Sequence, residues 1–438
     1  MRAASALGAV LIAIAALGAA GAAQAASPAS ASGPASSGWP RGLGDPFARP
    51  AKAAGISGQL DSVFCTSTAN CWAVGSYSAK LATLNQVLHR TGKKWIKVAV
   101  PEPGGTGKED VSELDAVRCT SALNCWAVGF YDKGGAELNE ILHWTGKKWF
   151  AVSVPTPAGT LAGDENVLLD VACTSAVSCW AVGDYGTDDF ATLGEIVKNQ
   201  ALFWNGKSWS VVATPNPAGV KKNHGNGLSG IRCTAPTDCW AAGTDGVLGK
   251  KFILSNEILH WTGKKWAQVT VPNVLGIKVK GTLNELIGVS CTSAKSCVAV
   301  GSALRLGTNG RELNAILRWN GAKWLKEQVP NPDGTDPGSV SGLLGVTCAS
   351  ASDCWAVGSF GGMGIGSGRN QALHWNGKKW KVVSTPNPAG TAKMDTNTLN
   401  GARCTSPANC WAVGDTSHDN GPHQNEILHW NGTKWTHS

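Results

Sequence analysis

Four side chains in one short stretch are the first candidates for chemistry. Asp415, His418, Asp419 and His423 fall within nine residues, with Asn420 among them. Two imidazoles and two carboxylates form a donor set that a transition metal accepts. A second stretch, Asp184, Asp188 and Asp189, offers oxygen alone, which suits calcium, although the spacing is not that of an EF-hand loop. A third set is cationic. Lys93, Lys94, Lys147, Lys148, Lys264, Lys265, Lys378 and Lys379 come as Gly-Lys-Lys, and Lys207, Lys323 and Lys434 share their repeat position. Eleven lysines so placed could hold a polyanion in a salt-dependent way. Each set has a plainer reading. Polar loops need no ion, and Gly-Lys-Lys solvates a turn while keeping outer strand edges from pairing.

Catalytic residues do not stand out. The chain shows no Ser/His/Asp signature, nucleotide loop or carboxylate pair at a diagnostic spacing. Five histidines recur at one position, His89, His143, His260, His374 and His429, but Phe203 and Arg318 replace them in two copies. A residue exchangeable for Phe or Arg belongs to the scaffold. No cofactor is expected beyond a structural divalent metal.

All fourteen cysteines fall in seven pairs with five residues between partners: Cys65 and Cys71, Cys119 and Cys125, Cys173 and Cys179, Cys233 and Cys239, Cys291 and Cys297, Cys348 and Cys354, Cys404 and Cys410. A tetrahedral zinc site needs a second Cys or His pair nearby, and none is present. Disulfides within each pair are therefore expected, which implies an oxidising compartment.

The elements that carry these residues form one repeat. In the second copy Leu114–Cys119 reads as a strand, Cys125-Trp126-Ala127-Val128-Gly129 as a second, Asn139–Trp144 as a third and Trp149–Val154 as a fourth. The runs are short, apolar or β-branched, and bounded by Gly, Pro and Asn. Four strands in each of seven copies predict an all-β fold, a seven-bladed β-propeller with one C-x5-C disulfide per blade. Blade boundaries are expected near 56–103, 104–157, 158–217, 218–274, 275–332, 333–388 and 389–438. The repeat starts on a first strand and ends in a fourth, so blade seven should pack directly on blade one. The tryptophans after the second cysteine and at the start of the fourth strand should fill the wedges between blades. The Asn opening every third strand should hydrogen-bond loop backbone, and the glycine of Ala-Val-Gly should mark a bulge or a positive φ.

Lengths vary in one place. From the last Trp of a blade to the next Cys is 24 or 25 residues, and from the third-strand Asn to that Trp is 10 in every copy. From the second Cys to the Asn the distance runs from 14 to 20. The variable segment is the loop between strands two and three, and variable loops on a rigid scaffold commonly carry function.

The bulk numbers agree with an exported protein. Only 16% of the 438 residues are charged, against 43% hydrophobic, so bulk disorder is excluded, and the net charge is a modest +8. Arg2, an apolar run and Ala23-Gln24-Ala25 predict a signal peptide over 1–25, followed by a Ser/Pro/Ala-rich linker over 26–55. No later run is long enough to span a membrane. The expected product is a secreted monomer.

Cys-Trp-Ala-Val-Gly, followed by a strand ending in Leu-His-Trp and then Gly-Lys-Lys-Trp, resembles the blades of bacterial BNR-type propellers, including photosystem-assembly-factor-like proteins. It is more distantly similar to kelch/galactose-oxidase propellers. The resemblance implies the fold from about Ile56 to Ser438. The Asp of an Asp-box is absent, its position held by Arg90, Trp144, Trp204 and their counterparts, and the three tyrosines, Tyr77, Tyr131 and Tyr185, sit at one repeated position. Sialidase and copper-oxidase chemistry are thus not implied. The function expected is non-catalytic binding of an extracellular glycan, peptide or protein through the variable loops, with nucleic acid disfavoured. The alternatives are a polysaccharide lyase or hydrolase, and polyanion adhesion through the lysine-rich rim.

Overall fold

The computed structural model describes residues 58–187, 196–248, 252–277, 279–308, 310–361 and 367–438. The expected signal peptide and linker lie outside them. Within them the chain forms 28 strands and no helix, in seven consecutive groups of four. In blade two the strands are Ser112–Ser121, Asn124–Lys133, Ala136–Trp144 and Trp149–Ala151, each antiparallel to its neighbour. The first strand is longer than its apolar run and the fourth shorter, because solvent covers the outer edge of each blade while the inner edge is enclosed. First strands touch one another in turn round the molecule, and that of blade seven, Thr396–Ser406, meets that of blade one, Gln59–Ser67. The chain is therefore a closed ring of seven blades.

All seven C-x5-C pairs are disulfides. Each joins directly opposed residues of strands one and two, as Cys119 opposes Cys125. Tryptophan packs the seams. Trp72 is wholly buried in the cluster containing Leu114, Val117 and Trp149 of the next blade. Trp149 meets Trp72 edge-on at 5.2 Å between ring centres, and Trp144 lies at 4.8 Å. The motif repeats as Trp209 and Trp204 on Trp126, Trp266 and Trp261 on Trp180, and Trp435 and Trp430 on Trp355. Such geometry favours the positive ring edge against the negative face.

The recurring glycine marks a bulge, as expected, and not a positive φ. Gly129 and its counterparts are absent from the positive-φ positions. The bulge lies in the facing first strand, between Leu114 and Ala116, and carries a backbone carbonyl so close that a Cβ on Gly129 would sit 1.9 Å from the Glu113 oxygen. Only glycine leaves room.

The closing seam uses its own contacts. Blades one and seven share no strand among the described residues. Leu60, Val63, Ala73 and Leu88 pack on Trp411, Val413 and Ile427. Arg90, which stands where other blades have Trp, places its guanidinium 4.7 Å from the Trp411 ring centre. Asn400 donates to the Leu60 carbonyl at 3.1 Å, and the Gly58 N–H to that of His423 at 3.1 Å.

Candidate functional site

Two faces follow from the blade geometry. The turns between strands one and two and those between three and four share one face, since Trp144 Nε1 donates to the Ala122 carbonyl at 3.1 Å. All eleven candidate lysines are exposed at the strand three–four turns of this face. The strand two–three loops and the interblade crossovers occupy the other face. There Glu109 N–H donates to the Leu81 carbonyl at 3.1 Å, Gly163 N–H to Gly135 at 2.9 Å and Gly338 N–H to Gly310 at 2.7 Å. Parallel pairings Thr83 with Val111, Glu137 with Glu165, Ile196 with His224, Ile253 with Thr282 and Glu312 with Val340 tie blades one to six in turn on that side, and Gly368 N–H to Asp395 and Gly58 N–H to His423 join the last two seams. The ends of strands two and three that carry the variable loops are thus braced from blade to blade among the described residues.

The third-strand asparagines supply a second brace. Asn139 Nδ2 donates to the Pro155 carbonyl at 2.7 Å, holding the crossover, and to Gln200 Oε1 of the next blade at 2.5 Å. Asn85 reaches Glu140 at 2.7 Å, Asn199 reaches Glu257 at 2.6 Å, Asn314 reaches Gln371 at 2.7 Å and Asn370 reaches Glu426 at 2.6 Å. Ala315 breaks the series after Asn256. Burial holds the Glu140 and Glu257 carboxyls well above the usual range, and Oε2 of each is buried without a hydrogen bond.

The histidines are structural. His89, His143 and His260 stack on Trp72, Trp126 and Trp240 with ring centres 3.8–3.9 Å apart. Their Nε2 atoms meet Asn70, Asn124 and Asp238 at 3.1, 2.5 and 2.6 Å. Where Val298 replaces the Trp, Arg318 replaces the His, pairing with Glu327 at 2.8 Å and covering Trp375 of the next blade at 3.7 Å.

The blade-seven loop does not assemble the expected donor set. His423 Nδ1 contacts Asp415 Oδ2 at 2.6 Å. His418 Nδ1 turns instead to Asp395 Oδ1 of the preceding crossover at 2.7 Å, and the Asp419 N–H donates to the same oxygen at 3.2 Å. The four residues form two separate tethers. Among the described residues no group of three or more His, Cys, Asp or Glu could hold a metal ion. Of the calcium candidates, Asp184 is buried on the second strand of blade three, between Val167 and Asn199, its carboxyl pushed up to about 8 by burial and then by Glu165. Asp188 and Asp189 lie outside the described residues.

Groups that the repeat pattern did not reveal line the channel. Towards the loop face lie Asp61, Glu113 and Asp115 on the first strands of blades one and two. Burial and then the neighbouring carboxylates hold Asp61 and Asp115 well above the usual range, and burial raises Glu113. Gln59 Nε2 donates to Glu113 Oε1 at 3.2 Å. Towards the disulfide face lie Arg118, Arg232 and Arg403, each one residue before a first cysteine. A comparison of residue types along the innermost strand would have found both groups.

No protein-family model matches the chain, and no curated protein matches it. Solved structures do. A GH74 xyloglucanase from Xanthomonas campestris aligns over 87% of this chain and 55% of its own length, at 14% identity and a TM-score of 0.52. The chain thus spans about half of that enzyme. The likeness is one of fold. The β-propeller domain of the Trilobed protease from Pyrococcus furiosus covers 87% of this chain and 97% of its own at 9% identity and TM-score 0.43. A polysaccharide lyase, the PL25 ulvan lyase, covers 73% and 81% at 10% and 0.44. Among the described residues no helix is long and apolar enough to cross a membrane.

Proposed function

We propose that this propeller is an extracellular, non-catalytic binding scaffold that recognises a glycan, peptide or protein through its strand two–three loops. The observation that carries the reading is the confinement of length variation, 14 to 20 residues, to loops mounted on a rim hydrogen-bonded from blade to blade. A rigid frame lowers the ordering cost of binding, and loop variation supplies specificity. Seven disulfides suit an oxidising environment. The fold likeness to a xyloglucanase makes polysaccharides the first ligands to test.

A second reading, polysaccharide cleavage, is favoured by the grouping of Asp61, Glu113 and Asp115, because carboxyls with raised pKa can serve as general acids. One experiment separates the two. The secreted protein is incubated with immobilised neutral and acidic polysaccharides, and bound protein and released reducing or unsaturated ends are measured together. Retention without product growth over time supports the binding scaffold. Product formation that disappears in D61N and D115N would transfer the assignment to the enzyme.

A further inference from the structure

The disulfide-side mouth of the channel has a feature that neither the loops nor the lysine turns explain. Arg118, Arg232 and Arg403 belong to blades two, four and seven, so they stand two, three and two blades apart around the ring. All three occupy the position before the first cysteine, on the strand that lines the channel. Phe64 holds that position in blade one, between blades seven and two. The Arg118 and Arg403 guanidinium carbons lie over its ring, 4.8 and 4.4 Å from the centre. Arg232 is near enough to act on Arg403 by charge repulsion, and burial followed by that repulsion pushes Arg403 down to about 10, while burial alone does the same to Arg232. Two of the cations thus flank one ring, and the third stands near enough to Arg403 to repel it.

Among the described residues no carboxylate pairs with them. The ion pairs of the described residues use Arg318, Lys108 and four histidines, and none of these three arginines. The Nε atoms of Arg232 and Arg403 are buried without a hydrogen-bond partner. The three side chains are partly buried, and a cation in a confined space without a countercharge is disfavoured. The blades themselves show that the position does not need it, since Ala172, Ser290 and Thr347 fill it elsewhere. Ser290 and Thr347 accept the N–H groups of Cys348 and Cys404 in the following blade, at 3.1 and 3.3 Å. Beside the cluster a cavity of about 500 Å3 opens, lined by Phe64, Thr66, Asn70, Thr120, Ser121 and Arg403.

We propose that this mouth is an oxyanion socket, in which Arg118, Arg232 and Arg403 hold a sulfate, phosphate or carboxylate group on the channel axis. Guanidinium forks match the oxygens of such groups and bind them through charge-assisted hydrogen bonds. The bound group would supply the missing countercharge. The exposed lysines around the same face draw anions towards it. The socket lies opposite the variable loops and stands or falls independently of them.

The test uses the whole secreted chain, with sodium sulfate, sodium phosphate and sodium chloride at matched ionic strength, read by calorimetry and thermal melting. Sulfate or phosphate should bind saturably near one per chain and raise the melting temperature beyond chloride. R232S and R403T install residues that blades five and six already carry, so both should fold and melt no lower than the parent in anion-free buffer. Each should weaken binding by about ten- to hundredfold, and the double variant should lose it. The surface pair K147Q/K148Q should leave the saturable component in place. A sulfated oligosaccharide that binds more tightly than free sulfate identifies a polymer end as the source, and equal affinity identifies the free ion. Equal effects of sulfate and chloride, or binding that survives in the double variant, would overturn the socket.

Discussion

At the scale of single residues, the interblade brace makes a chemical demand that Glu140 and Glu257 meet only when protonated. Gln200 in the equivalent place accepts from Asn139 and donates its own amide to the Asp184 carbonyl at 3.0 Å. By register Phe130 occupies the place of Asp184 next to Glu140, and only a carboxylic acid, not a carboxylate, has a hydrogen to give a carbonyl there. E140Q and E257Q should therefore match the parent in stability near pH 5 and exceed it near pH 8, as read from melting curves. N139A removes the donor to both Pro155 and Gln200 and should cost about 1–3 kcal/mol in denaturant unfolding. The asparagine was legible in the sequence because it is invariant among the copies. Its partner was not, because Gln, Glu and Ala alternate there. The loop residues Asp415, His418, Asp419 and His423 show the opposite failure. Their types suited a metal, but the hydrogen bond to Asp395, distant in sequence, divided them.

At the scale of elements, the strand order, turns and disulfides were readable because each is set by local residues, while the exact strand limits were not. Gly, Pro and Asn end the runs, and a five-residue gap places both cysteines opposite each other on adjacent strands. Replacing Cys173 and Cys179 by alanine should cost about 2 kcal/mol, the chain-entropy value for a loop this short. Guanidinium titration of the double variant measures it, and no loss would mean that the two strands constrain the turn without the bond. The innermost strand was the least legible element. Its direction into the channel is a property of the closed ring, so nothing local in the sequence singled out the position of Phe64, Arg118 and Arg403 that the ring brings together. The glycine was legible as a bulge marker, but that the bulge lies in the facing strand was not, since close approach by another strand leaves no local signal.

At the scale of the whole molecule, closure gathers carboxyls inside and shapes the response to pH. Burial pushes Asp184 and Glu285 up to about 8, Asp170 and Glu102 to about 7 and Asp245 to about 6, with neighbouring carboxylates adding for the first two. Each group holds its proton more tightly folded than unfolded, so the folded ring binds more protons between the ordinary carboxylate range and these values. Stability must then fall as pH rises through that window and level off above it. Melting temperature should be highest near pH 5 and several degrees lower at pH 8.5. A rising trend would mean that these carboxyls ionise freely in the folded ring.

The proposed binding scaffold separates frame from function, and this separation can be tested directly. The strand two–three loops of blades three to seven are replaced by the short hairpin of blade two, in which Asp132 Oδ1 accepts the Gly135 N–H at 3.2 Å. Melting temperature and binding to the ligand found by polysaccharide and peptide screening are then compared with the parent. The account predicts a melting temperature within a few degrees of the parent and loss of binding. Binding that persists on the grafted ring would contradict it.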